Sequence, residues 1–457
     1  MTGMLKGSVV VRILLAVGAW LHCAAGGSAI FGAVSRCWRA SGTRAFVVHR
    51  LGAPDAYVAN SNAARLCTRA NTRLAGWSAP RRWWEASLIC HIWRGLCRVL
   101  SKSRIIGWVF SDGMQGLILT ILGCYVCIDW LLRDVLQIAL LASVWDELLI
   151  LFCLFWIVWQ RTGHRQVRSI GANPLDLPVA VFIVVGLVLM SIVDPYPAIQ
   201  LSGYRATVQY ILWFFLITRL VQNDCDFMRV YITLCAVAFV LALHGIYQYI
   251  VGVPMPQNWV AAAETAVRTR VYSIFGSPNI MGDFMVLFVP MTVALAYHTK
   301  RPAAQACAWL AALVMCVACL FTMSRGAWVA MAAAIVTFIL LVDHRLFWLL
   351  LAAACVLVLV PFVRTRIGFL FTQDFVDANT NGGRGGRWAL GLELLEANGV
   401  WTGVGHGMFG GAVAVQNKVL DYIQYFYIDN YYLKTMVETG YLGLGAFVLM
   451  QLGMIVT

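Results

Sequence analysis

The chain has 457 residues, of which 61% are hydrophobic and 12% are charged, and its mean hydropathy is +0.77. Soluble domains carry about 25% charged residues, so this composition excludes a water-soluble globular enzyme and a disordered chain. Apolar runs of roughly 16 or more residues recur along the sequence and predict an all-α, polytopic integral membrane protein, a helical bundle of about 10–11 spans.

The net charge of +13 is concentrated in one region. The stretch from 35 to 104 holds thirteen Lys and Arg against Asp55 and Glu85, a local balance of +11. Nucleic-acid binding is disfavoured, because a basic loop between apolar spans usually marks the cytoplasmic side with anionic lipid headgroups as its partner. Trp83, Trp84 and Trp93 beside neighbouring arginines predict a short interfacial helix.

In chain order, residues 1–34 are a weak N-terminal span or signal-like segment, 35–104 a basic cytoplasmic or interfacial segment, and 105–363 the transmembrane bundle. A long, partly helical extracytoplasmic loop follows at 364–430, and 431–457 is the final, incomplete transmembrane part, which predicts further helices beyond Thr457. The predicted spans are Ile105–Leu132, Leu136–Trp159, Leu177–Val193, Val208–Leu220, Val230–Val251, Ile280–Tyr297, Ala304–Met323, Gly326–Val342, Leu346–Val363 and Tyr431–Val456.

Alternation of the connecting loops gives an orientation. With the basic segment inside, the connection at 161–176 and the turns near Lys300 and Arg345 also fall inside. The link at 194–204 and the loops at 252–278 and 364–430 then fall outside.

Two short motifs place arginine at the predicted outer ends of spans. Arg268 and Arg270 precede FGSPN, whose Asn279 opens a span; this is either an ordinary capped loop or a helix N-terminus that receives an anion. Arg325, in TMSRGAW, either snorkels to lipid headgroups or binds an anionic group in the space left by its small neighbours.

The long outer loop carries further polar groups. Arg384 and Arg387 lie in a Gly-rich stretch that is either a solvated linker or an anion-binding nest. His406 lies in GVGHGMF. Asp429 and Asn430 precede the last span, which contains Glu438. No sequence motif for a metal or a nucleotide is evident, so no metal ligands and no cofactor are predicted.

The order FGSPN, SRGAW, Arg-Trp, GVGHGMF, DNYYL and ETGYLGLGAF resembles the O-antigen ligase/polymerase superfamily of bacterial membrane proteins, over about Gly116 to the end. WDELL and PLDLP upstream are also similar. The superfamily includes cyanobacterial proteins labelled inorganic-carbon or bicarbonate transporters.

The resemblance implies a metal-independent, GT-C-like glycosyltransferase of the bacterial inner membrane. Such an enzyme moves a glycan from an undecaprenyl-diphosphate-linked donor to a glycan, lipid or protein acceptor outside the cytoplasmic membrane. The essential arginines of the family would map onto Arg270 and Arg325, with Arg387 as a further candidate. Asp429 stands where the family often has His, so Asp429 or Glu438 would take or orient the acceptor proton.

The substrate-binding candidates are Arg268, Asn279, Arg384, Arg387, His406 and Asn430. A polytopic transporter of a small anion, such as bicarbonate, is the alternative, because the same arginines would line an anion path. The sequence contains no obvious pair of interrupted helices of the inverted-repeat kind, which favours the transferase.

Overall fold

A computed structural model describes residues 62–100, 102–110, 112–163, 173, 175–193, 196–256, 269–343, 346–373, 376, 384–419 and 430–456. The predicted N-terminal segment, Arg268 and Asp429 lie outside these residues.

The described chain is 81% helical and contains no strands, as expected for an all-α polytopic membrane protein. The principal α-helices are Asn62–Gly76, Ala79–Glu85, Leu88–Leu100, Arg104–Phe110, Met114–Gly123, Tyr125–Trp130, Ala139–Arg161, Asp176–Ile192, Pro197–Leu220, Asp224–Val251, Pro278–His298, Pro302–Phe321, Arg325–Leu341, Leu346–Leu359, Pro361–Gly368, Arg384–Asn398, Ala412–Gln416 and Tyr431–Val456.

Four of the described helices are long and apolar enough to cross a membrane: Ala139–Arg161, Asp224–Val251, Pro278–His298 and Pro302–Phe321. The helices Asp176–Ile192 and Arg325–Leu341 are apolar but shorter. The total of 10–11 spans stays a prediction.

Three of the predicted spans differ in the structure. The span expected at Ile105–Leu132 is split into short helices, and Met114–Gly123 meets 125–135 at a bend of 73°. Pro197 begins a helix that extends to Leu220, so most of the expected link at 194–204 is helical; proline is favoured at the first position of a helix, where no N–H partner is needed. Pro361 separates the helix that ends at Leu359 from a short one.

The chain divides into two compact units. The first combines residues 101–142 and 225–375, and its core packs the sulfur-containing and small side chains of Met281, Met285, Met315 and Ala327. Gly282 allows a close approach in this core, because a Cβ there would overlap that of Ala327. The helices that begin at Pro278 and Arg325 therefore pack tightly against each other.

The second unit combines residues 46–100, 143–224 and 376–457. Its last helix, Tyr431–Val456, is broken at Gly440, whose φ is +64°. Two clusters of apolar side chains lie along this helix, one around Phe182 and Phe447 and one around Phe409 and Val437.

Candidate functional site

In the first unit, residues 269–277 form an irregular segment held by a glutamine from a neighbouring helix. Gln248 accepts hydrogen bonds from the backbone N–H groups of Tyr272 (3.1 Å) and Ser273 (2.7 Å), and its Nε2 donates to the Ser273 carbonyl (3.1 Å). Ser273 has a φ of +51°, a conformation that persists only where surrounding contacts enforce it. The segment is therefore a fixed platform for the neighbouring Arg270.

Arg270 is 7% exposed and is fixed at two of its nitrogens. Its Nε donates to the Thr322 carbonyl and its Nη2 donates to Asn279 Oδ1, both at 3.0 Å. Asn279 lies in the first turn of the helix that begins at Pro278. The sequence-predicted Arg270 and Asn279 are thus brought together, and both meet the link that follows Phe321.

That link, Thr322-Met323-Ser324, connects two apolar helices and is almost fully buried. Met323 has a φ of +53°, and the Thr322 hydroxyl accepts a hydrogen bond from Ser324 N at 3.2 Å. Arg325 follows at once and begins the next helix. Its guanidinium carbon lies 5.4 Å from the centroid of the Phe369 ring, a cation–π distance.

A third arginine at this link was missed in the sequence. Arg366 is 5% exposed, and its Nε donates to the Met323 carbonyl at 3.2 Å. It lies on the short helix Pro361–Gly368, whose Arg364 is exposed. In the sequence, Arg366 lies in a polar stretch and cannot be distinguished from an ordinary loop arginine. Pro361, which begins this short helix, was the one signal that the preceding apolar helix ends there.

Arg270, Arg325 and Arg366 are therefore gathered around the four residues 322–325, which we name the arginine cluster. The contacts described above are to carbonyl and amide oxygens and an aromatic ring. Positive charges attract an anion more strongly where little water screens them. Guanidinium groups bind phosphate through paired N–H donors.

The second unit holds the remaining predicted residues that the structure describes. Glu438 is 4% exposed. Its Oε2 lies 2.6 Å from Lys434 Nζ, and its Oε1 accepts a hydrogen bond from Phe409 N at 3.3 Å. Both carboxylate oxygens thus hold neighbouring groups of the same unit.

His406 is also buried in this unit, at 4% exposure. Its Nε2 lies 3.1 Å from the Gly186 carbonyl, and since a carbonyl only accepts, Nε2 carries the proton. Burial lowers the pKa of His406 to about 4, so the ring is neutral near pH 7. The rings of Tyr204 and His406 pack edge to face, with their centroids 5.4 Å apart.

The loop that carries His406 is tied to the broken helix through backbone hydrogen bonds. Val404 N donates to Val437 O and Gly405 N donates to Glu438 O, both at 2.9 Å; Tyr441 N donates to Val400 O at 2.9 Å. A Cβ at Gly440 would overlap the Trp401 carbonyl. The glycines of these motifs therefore allow the loop at 400–405 to pack against the break in the helix at Gly440.

Asn430, Arg384 and Arg387 lie at helix starts. Asn430 Oδ1 accepts hydrogen bonds from Tyr432 N (3.1 Å) and Leu433 N (3.2 Å), the contacts of an N-cap residue. Arg384 is exposed at the first position of the helix Arg384–Asn398, and Arg387 is half-buried one turn later. Substrate contacts of these three residues stay predictions.

No group of three His, Cys, Asp or Glu side chains within the described ranges is arranged to hold a metal ion.

Comparison with known families gives one match, and it covers residues 310–448 with the description O-antigen ligase. Comparisons with curated proteins and with solved structures give no match. The matched range contains Arg325, Arg366, His406 and Glu438, whereas Arg270 lies before it. The match indicates an O-antigen ligase/polymerase-type function in general. Residues 310–448 are therefore similar to the O-antigen ligase family, which supports the resemblance to the O-antigen ligase/polymerase superfamily.

Proposed function

We propose that the protein is a membrane glycosyltransferase of the O-antigen ligase/polymerase type. It takes a glycan from an undecaprenyl-diphosphate-linked donor and joins it to an acceptor on the outer side of the cytoplasmic membrane. The arginine cluster carries this proposal, because two of its members, Arg325 and Arg366, lie in the matched family domain and the third, Arg270, is bonded to the same link.

The reaction exchanges one carbon–oxygen bond for another. The acceptor hydroxyl oxygen forms a bond to the anomeric carbon, and the bond from that carbon to the diphosphate oxygen breaks. The electron pair stays on the diphosphate, which leaves with its lipid, and the hydroxyl proton passes to a base. Negative charge therefore develops on the diphosphate in the transition state.

The arginine cluster is suited to stabilise that charge. Donors that are already fixed before the reaction need no reorganisation when charge develops, which is the largest contribution in many enzymes. Arg270 is fixed through Nε and Nη2, and Arg366 is fixed through Nε. The Arg325 guanidinium carbon lies over the Phe369 ring.

The second unit supplies other parts of the proposal. Asp429 is our candidate for the group that takes the acceptor proton, and Arg384 and Arg387 are candidates for binding the glycan or the diphosphate. Glu438, whose two oxygens hold Lys434 and Phe409 N, acts as a positioning residue for the loop that carries His406.

The test is release of undecaprenyl diphosphate from a lipid-linked oligosaccharide by the purified full chain with a glycan acceptor. Arg270→Ala and Arg325→Ala are expected to abolish transfer while the protein keeps its expression and its thermal transition. Arg301→Ala is the control, because Arg301 is an exposed arginine at another helix start. Normal transfer by the Arg270 and Arg325 variants would overturn the proposal.

Anion transport is a second candidate, and one observation favours it. The described helices include a 73° bend near Cys124 and a break at Gly440, whereas the sequence showed no interrupted helices; broken helices are typical of transporter binding sites. The break at Gly440, however, has its backbone groups bonded to the loop at 400–405. Uptake of labelled bicarbonate into proteoliposomes, without any glycan transfer, would establish transport instead.

A further inference from the structure

Beyond the proposed function, we infer that residues 62–100 form a docking surface for an anionic lipid bilayer. This surface segment consists of the helices Asn62–Gly76, Ala79–Glu85 and Leu88–Leu100. Its proposed partner is the layer of negatively charged headgroups together with the outermost part of the acyl chains.

The helix Leu88–Leu100 carries the apolar side of this surface. Five of its apolar side chains are between 46% and 75% exposed: Leu88, Ile89, Ile92, Leu96 and Val99. At 100° per residue they fall within an arc of about 100°. The exposed Arg94 and Arg98 lie on the opposite side. A strongly amphipathic helix of this kind lies in the plane of a membrane interface.

The length of this helix supports an orientation in the membrane plane. It has 13 residues, or about 20 Å at 1.5 Å per residue, whereas the hydrocarbon core is about 30 Å thick. Ser87 sets its start, since Cys90 N donates to Ser87 Oγ at 3.1 Å. The helix is therefore too short to span the bilayer.

The surface segment is anchored to the end of a membrane-spanning helix. Arg81 Nη1 donates to the Thr162 carbonyl at 3.4 Å, and Gly163 N donates to Leu74 O at 3.2 Å. The rings of Trp84 and Trp159 meet edge to face at 6.2 Å. These contacts are to the residues at and just beyond the end of Ala139–Arg161, so the segment is held where that span leaves the bilayer.

Charge complementarity identifies the partner as an anionic surface. Arg65, Arg69 and Arg73 are exposed and recur every four residues, which places them on one side of the first helix. An open concavity of about 540 Å³ lies beside these arginines and is lined by Arg73, Leu74, Gly76 and Trp77. A second copy of the same basic surface would be repelled by like charge, whereas phosphate headgroups are attracted.

The first experiment asks what covers the apolar side. Benzoylphenylalanine is placed at position 92 or, as a control, at position 94 of the full chain in phosphatidylglycerol nanodiscs, and adducts are identified by mass spectrometry after irradiation. We expect lipid adducts at position 92 and few at position 94. Crosslinks from position 92 to a second copy of the chain, or equal lipid labelling at both positions, would overturn the inference.

The second experiment asks whether the lipid charge matters. Native mass spectrometry measures retention of phosphatidylglycerol against phosphatidylcholine for Arg65→Gln/Arg69→Gln. We expect affinity for the anionic lipid to fall about thirtyfold, since each arginine near the surface contributes roughly 1 kcal/mol, and Arg65→Lys/Arg69→Lys to restore it. Lys300→Gln/Arg301→Gln removes the same charge elsewhere and should change nothing. An equal loss in both Gln pairs, or no loss, would refute the inference.

Discussion

The arginine cluster of the first unit and the Glu438 site of the second are built from different sets of charged groups. Glu438 is matched within its own unit by Lys434 and a backbone N–H. Around residues 322–325, by contrast, three groups of the same sign are gathered. A matched buried ion pair holds a structure together, and gathered like charges favour an anionic ligand. This difference supports our proposals that Glu438 positions a loop and that the cluster binds the substrate.

The largest expected effect is on transfer by the arginine cluster. Arg366→Ala should lower transfer about 100- to 1,000-fold, the usual loss for one fixed donor to a developing charge. The measurement is release of undecaprenyl diphosphate. Arg364→Ala is the matched control, because it changes an exposed arginine of the same helix. Equal activities of the two variants would show that Arg366 does not contribute to transfer.

Breaking the ion pair of the second unit should affect stability first. Lys434→Met leaves the buried Glu438 carboxylate without its cation, which is expected to lower stability by about 3–5 kcal/mol. The readout is the thermal transition in detergent. Because the double variant Lys434→Met/Glu438→Leu has no buried charge left, it should recover most of the loss. A double variant as unstable as the single one would contradict a structural ion pair.

The pH dependence of stability tests the burial of His406. Its pKa of about 4 in the folded protein lies below the ordinary 6.5, so the unfolded chain binds the proton more readily. The stabilising contribution is therefore complete above pH 6.5 and is lost as the pH falls toward 4, by at most about 3 kcal/mol. His406→Gln keeps a donor for the Gly186 carbonyl and should flatten this window in thermal melts between pH 4.5 and 7. An unchanged pH profile would refute the assignment.

The fourth effect concerns the helix break. Gly440→Ala forces a side chain into a φ of +64° beside the Trp401 carbonyl; the backbone conformation alone is expected to cost about 1–3 kcal/mol. Gly445→Ala on the same helix meets open space and should leave the thermal transition unchanged or slightly raised. Comparable transitions for both variants would show that the break does not depend on glycine.

Long apolar segments were the most predictable part of the fold. The expected spans Ile280–Tyr297 and Gly326–Val342 match the helices Pro278–His298 and Arg325–Leu341 within a few residues. An apolar segment of this length folds as a helix in a membrane, because lipid cannot form hydrogen bonds with backbone N–H and C=O groups. The 73° bend within Ile105–Leu132 was not predictable in the same way, because the sequence around Cys124 remains apolar.

The candidate site was predicted only in part. Arg270, Asn279 and Arg325 were found because they stand beside glycine, proline and serine at the ends of apolar runs. Arg366 was missed because its burial results from a contact with Met323, 43 residues earlier in the chain, and nothing in the neighbouring letters distinguishes it from the exposed Arg364.

By itself, the sequence determined that this protein is an all-α membrane protein with a region similar to the O-antigen ligase family, because apolar length and motif order are local properties of the chain. Only the tertiary structure decided that Arg366 joins Arg270 and Arg325 at one link and that Glu438 is held by Lys434 and Phe409 N. Such contacts join residues far apart in the chain or depend on a loop docking against a helix break, and their energies depend on burial that no local pattern records.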